Sequence, residues 1–87
     1  MAKIEGPLMS YVYEGTECKM DKELVMKWMQ REGIRKNTRQ FYEAMDCVMV
    51  NAKGRLESHG ISVTEESLRH AAEEVIKEEI ELTGGNA

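Results

Sequence analysis

Residues 28–42, Trp28-Met29-Gln30-Arg31-Glu32-Gly33-Ile34-Arg35-Lys36-Asn37-Thr38-Arg39-Gln40-Phe41-Tyr42, decide how the helices of this chain are joined. Gly33 follows an apolar helical stripe and is placed as the left-handed residue that ends a helix, with Ile34 as the hydrophobic residue after it. Asn37 or Thr38 can supply the side-chain oxygen that caps the start of the next helix. The stretch therefore predicts a helix, a short basic loop and a second helix.

The first helix is predicted over Lys22–Glu32. Asp21 is a suitable N-cap, and the apolar residues that follow recur at helical spacing. They are Leu24, Val25, Trp28 and Met29.

The second helix has the most regular pattern in the chain, and it is predicted to end near Ser58-His59-Gly60 with Gly60 as the left-handed residue. Its apolar positions share one face: Phe41, Met45, Val48, Met49, Ala52 and Leu56. Gly54 lies off that face, beside Cys47 and Val50, and an interior glycine costs about 1 kcal/mol relative to alanine. We therefore expect another segment, the N-terminal strand, to approach the helix closely at Gly54.

A third helix is predicted from an N-cap at Thr64 to about Leu82. Its buried side is predicted to consist of Leu68, Ala72, Val75, Ile76 and Ile80. At the other end of the chain, Leu8–Tyr13 is apolar and rich in β-branched and aromatic residues, which favours a strand. That strand either folds back on residues 16–20 around Glu14-Gly15 as a hairpin, or pairs with another chain.

These elements predict an all-α fold, a three-helix bundle with a short N-terminal β strand or hairpin. We expect one small helical domain over residues 1–82 and a flexible C-terminal tail over 83–87.

No run of residues approaches the length of a membrane span and the N-terminus lacks a signal-peptide pattern, so we expect no membrane partner and a cytoplasmic location. Cys18 and Cys47 are too few for a disulfide framework and are expected to be free thiols.

Charge is distributed unevenly along the chain, whose net charge is −4. Residues 19–39 carry seven basic and three acidic side chains, a net charge of +4. Residues 61–87 carry seven glutamates against Arg69 and Lys77, a net charge of −5. Such local fields steer binding partners more than the net charge does.

The residues that could carry chemistry do not form a recognisable catalytic pattern. The cysteines and histidines match no zinc-ligand spacing, and adjacent glutamates such as Glu73 and Glu74 diverge around a helix. We therefore predict a non-enzyme with no catalytic residues, no cofactor and no metal site.

Two groups of residues are candidates for binding. The first is a protein-partner surface that includes methionines, whose thioethers adapt to irregular surfaces; it consists of Met9, Tyr11, Tyr13, Met26 and Glu79. Glu79 is included because its helical position lies among apolar residues, where it either frays with the helix end or meets a cation of a partner.

The second group is a nucleic-acid surface at the predicted helix start, which favours anions. It consists of Arg31, Arg35, Lys36, Asn37, Thr38 and Arg39. The alternative for this basic joint is a solvated loop, or ion pairing with the acidic third helix.

Residues 28–42 resemble the opening of the core-binding (SAM-like) domain of phage integrases and other tyrosine recombinases. In that family a helix ends in glycine plus an aliphatic residue, an Asn-Thr pair follows, and an aromatic residue begins the long second helix. Residues 56–62 are also similar, and the resemblance covers residues 24–76 without the catalytic domain. It implies a four-helix DNA clamp in which the chain approaches the DNA backbone through Arg35, Lys36, Asn37, Thr38 and Arg39.

Two functions follow as hypotheses. The first is a small intracellular regulator, adaptor or inhibitor, encoded by a phage or other mobile element, that binds another protein and can form a homodimer. The second is a DNA-binding accessory module that uses the basic joint.

Overall fold

The computed structural model describes residues 7–84, which begin with an antiparallel β-hairpin. Strand β1 is Leu8–Tyr13 and strand β2 is Thr16–Asp21, paired from Tyr13 with Thr16 to Leu8 with Asp21. The two turn residues, Glu14 and Gly15, have φ angles of 51° and 82°. Positive φ at both central residues is the type I′ geometry, whose twist matches that of the flanking strands.

The two faces of the hairpin differ in burial because side chains alternate along a strand. Cys18 and Met20 are fully buried on the inner face. Met9, Tyr11 and Tyr13 lie on the same face and pack, half-buried, against the core. Of the two arrangements predicted for the N-terminal strand, the hairpin is therefore the one observed, and the fold is a small helical domain with a β-hairpin and is not strictly all-α.

Three helices follow the hairpin: α1 over Lys22–Glu32, α2 over Arg39–Ser58 and α3 over Glu65–Gly84. The predicted N-caps are confirmed at the starts of α1 and α2. Asp21 accepts the backbone N–H of Glu23 at 3.0 Å, and the Thr38 hydroxyl accepts that of Phe41 at 3.2 Å. At the start of α3, Thr64 and Ser67 exchange side-chain and backbone hydrogen bonds, with the Ser67 N–H 3.1 Å from Thr64 Oγ1.

The joint between α1 and α2 forms as its sequence predicts. Gly33 has φ 71° and ends α1, and the Ile34 N–H donates to the carbonyl of Met29 at 2.9 Å. This six-to-one bond satisfies a carbonyl that the helix end would otherwise leave free. Gly60, with φ 70°, follows the end of α2, also as predicted.

The core lies where α3 packs against α1, α2 and β2. The predicted apolar face of α2 is buried at all six positions, and Leu68, Ala72, Val75 and Ile76 of α3 lie opposite it. The single tryptophan, Trp28, is 2% exposed. Because Cys18 and Met20 belong to the same cluster, the hairpin and the helices share one core.

One expectation about α2 is wrong. A Cβ on Gly54 would meet no described atom within 4 Å apart from its chain neighbours and the nearby backbone of α2 itself. Cys47 is exposed and Val50 is 58% exposed, so no other described segment packs there. The strand instead covers α2 further towards its start, through Tyr11. Helix α3 runs to Gly84, two residues beyond its predicted end at about Leu82. Residues 1–6 and 85–87, which include most of the predicted tail, lie outside the described residues.

Within residues 7–84, no helix combines the length and apolar character required to cross a membrane.

Candidate partner-binding surfaces

Three of the predicted partner-binding side chains hold the hairpin on the helices. Met9, Tyr11 and Tyr13 all point towards the core side of β1. The Tyr11 hydroxyl donates to Asp46 Oδ1 at 2.6 Å, and its ring centroid lies 6.5 Å from that of Phe41. Desolvation and the hydrogen bond to the Asp46 carboxylate raise the pKa of the Tyr11 phenol. These contacts give the three side chains a structural role.

Glu79 also has a partner inside the chain. Its Oε1 accepts a hydrogen bond from the indole Nε1 of Trp28 at 3.3 Å, and its side chain is half-buried. The acidic residue among apolar positions of α3 is therefore explained by an aromatic donor from α1. Sequence reasoning considered only a lysine or arginine as its partner.

Met26 is the predicted partner-binding residue that faces solvent, with 45% of its surface exposed. It was expected to form a patch with Met9 or Tyr11, but it lines a groove with Pro7, Met29 and Ile34. The groove runs along α1, between the start of β1 and the loop after α1, and its volume is about 640 Å³. We call it the α1 groove.

Charged side chains surround the apolar floor of the α1 groove. Lys22, Lys27 and Lys36 line it, together with Glu23 and Gln30. None of the three lysines lies within 4 Å of a carboxylate of residues 7–84. The groove thus combines an apolar floor with three ammonium groups that form no ion pair within the described part of the chain, and Glu23 is the one carboxylate in its lining.

The basic joint is exposed at each of its four cations, Arg31, Arg35, Lys36 and Arg39. Asn37 adopts a left-handed conformation with φ 60°, and Thr38 is occupied in capping α2. The predicted alternative of pairing with the acidic third helix is wrong for the described residues. The α3 carboxylates that form ion pairs do so elsewhere: Glu78 receives both guanidinium nitrogens of Arg55, one at 2.9 Å, and Glu73 lies 3.4 Å from Arg69.

The outer face of β1 is a surface that the sequence analysis did not select. Leu8 is 43% exposed and Val12 is 63% exposed, with Ser10 between them. The two-residue alternation of the strand could have found them, since assigning the larger Met9, Tyr11 and Tyr13 to the core leaves the alternate residues outside.

The two thiols lie in different surroundings and are both free. Burial raises the pKa of the Cys18 thiol to about 11, whereas Cys47 is exposed on α2. Among the described residues, no three histidine, cysteine or acidic side chains are grouped closely enough to hold a metal ion.

No protein-family model matches this chain, and neither does a curated protein sequence or a solved structure.

Proposed function

We propose that this protein is a small, non-enzymatic cytoplasmic adaptor or regulator that binds an acidic, apolar segment of another protein in the α1 groove. The observation that carries the proposal is the combination of an exposed apolar floor and three lysines that have no carboxylate partner among residues 7–84. Exposed apolar surface with a polar rim is typical of protein interaction sites.

The floor suits a partner side chain that is large and apolar. Met26 has a flexible, polarisable thioether that adapts to different shapes. Met29 belongs to the core beneath it, and backbone hydrogen bonds hold Pro7 and Ile34 at either end. Burial of one leucine-sized side chain from a partner contributes roughly 1.5–3 kcal/mol. The floor therefore supplies affinity.

The lysines decide which apolar segments are accepted. Lys22, Lys27 and Lys36 attract carboxylates and repel basic segments, and charge complementarity of this kind acts mainly on specificity and association rate. Their long stems also extend the apolar surface beside the floor. The preferred ligand is an amphipathic segment whose leucines are flanked by aspartate or glutamate.

A pair of synthetic peptides tests the proposal. One carries leucines at helical spacing flanked by glutamates, and the other has every glutamate replaced by lysine. We expect fluorescence anisotropy to show binding of the acidic peptide but not of the basic one. The affinity for the acidic peptide should fall as the salt concentration rises. Met26→Glu should weaken binding at least about tenfold, the effect of roughly 1.4 kcal/mol at an apolar contact, while Val50→Glu, a matched change on the exposed side of α2, should not.

Equal binding of both peptides would contradict the charge selectivity. Binding that Met26→Glu leaves unchanged would show that the groove is not the site.

A second candidate function is DNA binding by the basic joint, and the observation that favours it is the absence of ion pairs at its four cations within residues 7–84. The α2 N-terminus beside them adds a partial positive charge that suits a phosphate. This surface is also where the proposed resemblance to integrase core-binding domains places DNA contacts.

Duplex DNA binding and its salt dependence test this candidate. Replacing Arg35 and Arg39 with alanine should reduce affinity and lower the slope of log affinity against log salt by about 0.9 for each phosphate that the protein no longer neutralises. Both residues lie outside the α1 groove, so peptide binding should be unchanged. An unaltered salt slope would remove the DNA candidate and leave the adaptor proposal standing.

A further inference from the structure

The outer edge of β1 has backbone groups that no described residue uses. The Lys22 N–H donates to the Pro7 carbonyl at 3.1 Å. Because hydrogen-bonded and non-hydrogen-bonded residue pairs alternate along two antiparallel strands, this bond shows which residues of β1 direct their N–H and C=O groups towards β2. The N–H and C=O groups of Met9, Tyr11 and Tyr13 consequently face β2. Those of Leu8, Ser10 and Val12 face outwards, and the sheet of the described residues contains only β1 and β2.

The other edge of the sheet is protected. On β2, the outward-facing N–H of Asp21 donates to the Glu73 carboxylate of α3 at 2.9 Å. Charged residues Glu17 and Lys19 flank the remainder of that edge, beside Glu65, Glu66 and Arg69 of α3. Protein edges are normally covered, charged or bulged in this way to prevent strand addition.

The edge of β1 is not covered by another described element, charged or bulged. Its six residues, LMSYVY, contain no charge and no proline, and its register with β2 is continuous without a bulge. Its outer-face side chains, Leu8 and Val12, are also exposed and apolar. An unguarded, apolar edge is a surface for pairing with another strand.

We propose that β1 pairs with β1 of a second copy of this chain, antiparallel about a two-fold axis at Ser10. In this register all three outward-facing residues of each strand find partners: Ser10 lies opposite Ser10, and Leu8 lies opposite Val12 of the second copy. An isologous dimer requires a self-complementary patch, and two leucine–valine pairs around a small serine centre meet that requirement.

In this register the apolar pairs also have a charged border. On the same face, β2 places Asp21 beside Leu8 and Glu17 beside Val12. The apolar pairs of the dimer would therefore be bordered on both sides by charged residues, the arrangement of apolar centre and polar rim that interfaces share. The result is a four-stranded sheet in the order β2, β1, β1, β2.

The first test is the oligomeric state of the full chain, measured by sedimentation velocity into the high micromolar range, because one strand pair buries less than a standard interface of about 1,600 Å². We expect a monomer–dimer equilibrium. Val12→Lys and Ser10→Pro should each abolish the dimer; proline at Ser10 removes an outward N–H and leaves the hairpin ladder intact. Val50→Lys, an equally exposed valine on α2, should not. A chain that is monomeric throughout, or a dimer that both β1 variants retain, would overturn the proposal.

The second test reads the register directly. In a background with Cys47→Ser, Ser10→Cys should form an inter-chain disulfide, since opposed Cα atoms of a hydrogen-bonded pair are about 5.5 Å apart. Val12→Cys should not form one. In this register residue 12 of each copy lies opposite Leu8 of the other, so the two cysteines would be separated by four residues along the strand. We expect at least about a tenfold difference in cross-linking rate from this geometry. Equal rates, or faster reaction at residue 12, would overturn the register, and circular dichroism of each variant shows that the fold is retained.

Discussion

Tyr11 fixes the hairpin on α2 by a single side chain that contributes both an aromatic contact and a hydrogen bond. Its hydroxyl reaches an aspartate thirty-five positions along the chain, and its ring packs against both Phe41 and Tyr42. The sequence showed that the residue was a large aromatic in a strand, but not that Asp46 would accept a hydrogen bond from its hydroxyl. A contact between distant positions depends on the packing of whole elements.

Replacement of Tyr11 by phenylalanine tests that bond through its pH dependence. The folded state holds the phenolic proton more tightly than the unfolded chain, since its pKa is raised. This contribution is present below about pH 10, the ordinary tyrosine pKa, and is lost as the pH rises from there through the folded value. We expect Tyr11→Phe to lower the free energy of unfolding by about 1 kcal/mol at pH 7, and to lose stability less steeply than the parent above pH 10, measured by urea denaturation. Parallel alkaline curves would contradict it.

At the scale of the elements, the helices and their ends could be predicted from local sequence. Asp21, Gly33 and Thr38 act within a few residues of themselves, so the chemistry that caps or ends each helix is visible in the sequence. The α1 groove could be predicted only at Met26, because its floor joins Pro7 and Ile34 from different parts of the chain. The same reason applies to the bond between Trp28 and Glu79.

Replacement by alanine should change the free energy of unfolding in opposite directions at Gly54 and at Gly33. Gly54 lies inside α2 with open space around its Cα, so Gly54→Ala should raise the free energy of unfolding by about 1 kcal/mol. Gly33 has φ 71°, a conformation that a Cβ disfavours, so Gly33→Ala should lower it by about 1 kcal/mol. Thermal unfolding of both variants measures the two effects. A loss of stability at Gly54 would show that a segment approaches α2 there after all.

At the scale of the whole molecule, the hairpin and the helices depend on one core. Met20 of β2 and Met45 of α2 are both fully buried in it. We expect Met20→Ala to cost about 2–5 kcal/mol, the range for truncating a buried methionine. Because the core is shared, Trp28 fluorescence and helical circular dichroism should report the same transition midpoint in the parent and in the variant. Separate midpoints would contradict a single cooperative core.

The bond between the Asp21 N–H and Glu73 also limits how far copies of this chain could polymerise. A sheet grows into a fibre only if each added copy offers a fresh edge, and a chain needs two open edges to act as a link. Helix α3 occupies one edge of every copy, so strand addition at β1 stops after a single step. Removing the Glu73 carboxylate would free only the Asp21 N–H, because α3 would still pack against β2 and the charged Glu17 and Lys19 would still border that edge, so linear growth would also require α3 to detach.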